Sequence, residues 1–169
     1  MTMKLIRSRN RGFTLVEMLV ALVVLSVGML GIAGLFTVSL RSGGSAIQRM
    51  QAVNLAADMA DRIRANRRAG TAYTAAATAT GTDKNCIGAS AVVCTTADMA
   101  ATDIYVWKKA ITAAFKGGTA TGQVDYAAAT LPTLPATYTI TVSWKEQAQA
   151  SDENESTQSV VMRLQMPTT

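Results

Sequence analysis

Histidine is absent from this 169-residue chain. That removes the commonest general base and the commonest metal ligand. Cysteine occurs twice, at Cys86 and Cys94, and two thiols without histidine make a poor zinc site. Charge is missing from one long stretch: between Arg11 and Arg41 the only charged residue is Glu17. No nucleophile–base pair, metal-ligand cluster or phosphate-binding loop stands out, so the sequence speaks against an enzyme and implies no cofactor. The overall charge of +5 is also misleading. Lys4, Arg7, Arg9 and Arg11 crowd the first eleven positions, and the remaining twelve basic residues nearly balance the eleven acidic ones. A nucleic-acid partner therefore gains little support from the charge.

What the N-terminus does contain is a basic leader, then Gly12-Phe13-Thr14-Leu15-Val16-Glu17, then an apolar run to Phe36. A secretory signal would hold about 7–15 apolar residues and a small-residue cleavage site; this run is longer and no Ala-x-Ala site with a polar flank follows promptly. A plain anchor needs about 20 apolar residues, and the upstream basic residues would keep the N-terminus cytoplasmic. That reading leaves Glu17 unexplained. A carboxylate at the centre of a membrane helix costs roughly 2.5–3.5 kcal/mol on insertion scales, so one near its start calls for a partner or an interfacial position.

The stretch from Arg11 to Glu17 resembles the class III signal of type IV prepilins. The resemblance implies cleavage between Gly12 and Phe13 by a prepilin peptidase and N-methylation of the new Phe13 amine. It also implies that Glu17, the fifth mature residue, neutralises that amine on a neighbouring subunit during assembly. Opposite charges attract strongly at low dielectric, whereas either alone is penalised. Snorkelling of Glu17 to the interface is compatible with this before assembly.

The helical pattern continues past the membrane. Gly28, Gly31 and Gly34 weaken it locally by about 1 kcal/mol each relative to alanine, serving close packing, bending, or neither. Arg41-Ser42-Gly43-Gly44-Ser45 is expected to kink or loosen the helix. A second half, from about Ala46 to Asn66, carries an apolar stripe at Ala52, Leu55, Ala56, Met59 and Ile63. Arg62, Arg64, Arg67 and Arg68 gather near its C-terminus, where cations complement the helix dipole.

Residues 69–82 are rich in Ala, Thr and Gly without periodicity and read as a loop. Ile104, Trp107, Ile111 and Phe115 share one face of a helix over about Ala97–Lys116, ended by Gly117-Gly118. A short strand is expected around Gln123–Tyr126. The period-two alternation of Ala136–Lys145 and Thr157–Met166 predicts a hairpin whose acidic tip, Ser151–Ser156, reads as a solvated loop. The region beyond the span is expected outside the inner membrane. There an oxidising compartment favours a disulfide between Cys86 and Cys94.

With Gly28–Leu35 and Asp58–Asn66 added, the chain resembles minor type IV pilins of the PilV class. The implied fold is α+β and type IV pilin-like: a long N-terminal helix packed by its C-terminal half on a small antiparallel sheet. The implied organisation is a leader over 1–12, a transmembrane and assembly helix over 13–40, and the periplasmic half of that helix over 41–68. A small globular domain over 69–169 completes it. The implied partners are other minor pilins, the major pilin, the prepilin peptidase, a tip adhesin in some systems, and the inner membrane before assembly. Two rivals stand beside this reading: a minor pseudopilin of type II secretion, and a competence pilin that binds DNA. The second rests on Arg62–Arg68, which lacks the interleaved aromatics of stacking surfaces.

Overall fold

The computed structural model describes residues 12–115, 120–129, 135–145 and 156–166. The leader residues Lys4, Arg7, Arg9 and Arg11, the glycine pair Gly117-Gly118, and the hairpin tip up to Glu155 lie outside the described residues. The chain divides into two compact units between Gly44 and Ser45.

Helix α1 runs over Leu15–Ala65. The helical assignment continues through Gly43 and Gly44, so these glycines do not end the helix. Each glycine costs about 1 kcal/mol, which flanking turns rich in Leu, Val, Ala and Met absorb. Within the first unit, Ser26 Oγ donates to the Val23 carbonyl and Thr37 Oγ1 to that of Gly34, each at 2.8 Å. These bonds keep the scattered hydroxyls of an apolar helix satisfied.

In the second unit the last turns of α1 bury Ala52, Ala56, Met59, Ala60 and Ile63, the expected stripe with Leu55 at its half-buried margin. Helix α2, Thr96–Ala114, buries Ile104, Trp107 and Ile111, with Phe115 following at its end. It starts where Thr95 and Asp98 form a reciprocal capping box, satisfying two first-turn amides that have no partner inside the helix. Strands β1 (Thr121–Ala127), β2 (Ala136–Lys145) and β3 (Thr157–Met166) form an antiparallel sheet in the order β1-β2-β3. The register sets Ile140 opposite both Val124 and Met162. Tyr138, Ile140, Val142 and Trp144 are buried while the intervening Thr139, Thr141 and Ser143 are not, as alternation along a half-buried strand requires.

The two helices and the sheet share one core. Trp107 Nε1 donates to the Leu55 carbonyl at 2.8 Å, and Phe115 stacks on Trp144 with centroids 5.6 Å apart. The α+β expectation therefore holds: a long N-terminal helix whose C-terminal part shares a core with a three-stranded antiparallel sheet.

The segment 69–82 departs from the loop expected there. A 3-10 stretch occupies Arg67–Tyr73, and Ala75 bridges Val124 through two hydrogen bonds of 2.9 Å. Tertiary contacts order this Ala/Thr-rich segment: Tyr73 and Ala75 are buried, which no local periodicity announces.

Candidate functional site

Gly12, Phe13 and Thr14 precede α1 in non-helical backbone, and Phe13 is 75% exposed. The Thr14 carbonyl accepts the first helical bond from Met18 N–H at 3.3 Å. Its hydroxyl accepts from the Glu17 N–H, also at 3.3 Å, which makes Thr14 the N-cap. Glu17 sits in the first turn, where the helix dipole favours an anion, and its side chain is exposed. The N-terminal segment thus holds Gly12, Phe13 and Glu17 within half a dozen residues, with the glycine–phenylalanine bond outside the helix.

Beyond Glu17 the apolar side chains of the first unit face outward all round the helix; Leu30 and Leu35 are among those more than 70% exposed. Among the described residues, and apart from the neighbouring turns of the helix backbone itself, no atom lies within 4 Å of where a Cβ would stand at Gly28, Gly31 or Gly34. Among the described residues, α1 is the one helix long and apolar enough to cross a membrane. A helix hydrophobic all round requires lipid or other helices about it.

The second unit separates the four arginines that the sequence groups together. Arg62 donates to Asp58 and to Asp103, each at 3.0 Å. Burial works against its charge, but these two hydrogen bonds outweigh the effect and raise its pKa. Tyr73 donates to the other Asp103 oxygen at 2.6 Å; burial, then this bond, push its phenol well above the ordinary value. Arg64 pairs with exposed Asp61. Arg67 and Arg68 remain as a basic pair on the 3-10 stretch, so the cluster on which the DNA-binding reading rests has two of its four arginines, Arg62 and Arg64, paired to carboxylates of the same chain.

Cys86 and Cys94 are joined, with Cα atoms 5.8 Å apart. The loop between them is organised internally: Val92 N–H donates to the Asn85 carbonyl, Ala91 N–H to that of Gly88, and Asn85 Nδ2 to that of Ser90. Ile87, Val92 and Val93 point outward. Cys94 also lines a cavity of about 400 Å³ with Arg62, Asn66, Thr95, Met99 and Asp103.

Sequence reasoning misses Lys108, which is buried and donates to the carbonyls of Ala76, Ala77 and Gly122. Burial lowers its pKa, while the three acceptors satisfy the ammonium. Its position four residues after Ile104 places it on the core-facing side, a signal the sequence carries. Among the described residues, no three His, Cys, Asp or Glu side chains converge as a metal site.

The long N-terminal helix and the small three-stranded antiparallel sheet of the C-terminal half are consistent with a type IV pilin fold. The family described as Type IV pilin Tt1218 matches residues 34–105, and the Prokaryotic N-terminal methylation motif matches residues 7–33. The first is a family of structural subunits. No curated protein and no solved structure matches the chain.

Proposed function

We propose that this chain is a minor pilin of the PilV class, a structural subunit at or near the tip of a type IV pilus and part of the complex that primes its assembly. The observation that carries the reading is the N-terminal arrangement: a non-helical Gly12-Phe13 bond, a first-turn Glu17, and an outward apolar helix, coinciding with the methylation motif. A prepilin peptidase cleaves after Gly12 and the Phe13 amine is methylated. Residues 13–40 hold the subunit in the inner membrane with residues 41–68 and the domain 69–169 in the periplasm. Extraction into the filament replaces acyl chains by the helices of other minor pilins and the major pilin, and Glu17 neutralises a neighbour's Phe13 amine. A tip adhesin, where one is present, contacts the same assembly. The pilin match over residues 34–105 favours the pilus over the secretion pseudopilus.

The test is mass spectrometry of the chain recovered from sheared filaments. The expected N-terminus is N-methylated Phe13. A chain that begins at Met1, begins past residue 30, or never enters sheared filaments would refute the proposal.

A further inference from the structure

We propose that Thr14 is a positioning residue for Glu17: its hydroxyl caps the first turn of α1 and so fixes the carboxylate on which assembly depends. The inference rests on the filament reading above and adds a second residue to it. The amide bonded to Thr14 Oγ1 is Glu17's own, at 3.3 Å, and the next amide, that of Met18, is held by the Thr14 carbonyl. Thr14-x-x-Glu17 has the spacing of a capping box, and the structure holds the half in which the hydroxyl accepts. At Thr95-x-x-Asp98 both halves are present.

First-turn amides have no partner inside a helix. In water a lost cap is partly replaced by solvent, but where a helix enters lipid or a packed bundle no such replacement is at hand. An uncapped first turn frays. Glu17 then loses both the favourable field of the helix N-terminus and the fixed Cα–Cβ direction that a helical backbone imposes. Thr14 therefore acts through Glu17 rather than on a neighbour directly, and it does so with a group that carries no charge. Cleavage does not depend on the cap, because Gly12 and Phe13 already lie outside the helix.

Three variants of the full chain in pilus-bearing cells test this: Thr14→Val, which keeps the shape but removes the acceptor, Thr14→Ser, which restores it, and Glu17→Gln. Membrane content, cleavage and the amount in sheared filaments are measured for each. Thr14→Val should be inserted and cleaved normally yet reach filaments about fivefold less, the population change produced by losing a cap of ordinary strength. Thr14→Ser should match the wild type. Wild-type incorporation of Thr14→Val, failure of Thr14→Ser to rescue, or a loss already at insertion or cleavage would each overturn the inference. Wild-type incorporation of Glu17→Gln would instead remove the assembly role of Glu17 itself, and the role of Thr14 with it.

Discussion

Gly81 and Gly122 show how tightly single positions are specified in the second unit. Gly81 has φ +75, and a Cβ built on it would stand 2.7 Å from the Tyr105 backbone nitrogen in α2. Neither the left-handed backbone nor a helix backbone can yield cheaply. Gly81→Ala should therefore destabilise the fold by about 2 kcal/mol or more. A Cβ on Gly122 would stand 2.5 Å from Trp107 Cη2, so Gly122→Ala should cost about 1–3 kcal/mol through overpacking. Urea unfolding of the full chain in detergent, followed by fluorescence of the buried Trp107 and Trp144, reads both. Equal stability of Gly81→Ala and wild type would contradict the close approach. Tyr73 supplies a pH prediction at the same scale. Its folded-state pKa is raised by burial and by the bond to Asp103. The resulting stability is fully present below the unfolded value of about 10 and is lost as pH rises above it. Tyr73→Phe should flatten that alkaline loss, measured as unfolding midpoint against pH.

Among the elements, β2 and β3 were legible to the residue because strict alternation marks a strand with one buried face, and both occupy the expected Ala136–Lys145 and Thr157–Met166. Strand β1 extends beyond the expected Gln123–Tyr126 to Thr121–Ala127. Its Gly122 has no side chain to mark the inward face. The Arg67–Tyr73 stretch was illegible, since its order comes from Tyr73 reaching Asp103 thirty positions away. The start of α2 was legible in principle from Thr95-x-x-Asp98. Thr95→Ala should cost about 1 kcal/mol. The Thr95 hydroxyl also holds the Asp98 pKa down. That contribution is present above the ordinary carboxylate range and disappears as pH falls through the depressed value. The Thr95→Ala difference from wild type should therefore shrink in strong acid, a comparison that thermal unfolding at pH 7 and pH 2 makes directly. A difference unchanged at pH 2 would mean that the cap works without the Asp98 charge.

For the whole molecule, the contrast between the two units decides behaviour in solution. Up to Gly44 the described apolar side chains lie outward, whereas from Ser45 onward α1 turns one apolar stripe into a core shared with α2 and the sheet. The Cys86–Cys94 bond closes a nine-residue loop immediately before the Thr95 cap, and removing it should cost about 2.5 kcal/mol by loop-closure entropy. A chain beginning at Ser45 should consequently be soluble, retain the disulfide and unfold cooperatively. Its remaining large exposed apolar side chains on α1 are Ile47, Met50 and Val53, too small a patch to force aggregation. A chain beginning at Phe13 should partition into membranes. Cell fractionation, circular dichroism and size exclusion separate the outcomes. An insoluble or unfolded chain from Ser45 would show that the second unit depends on residues before it, and a Phe13 chain found in the soluble fraction would show that the apolar helix does not hold the protein in a membrane.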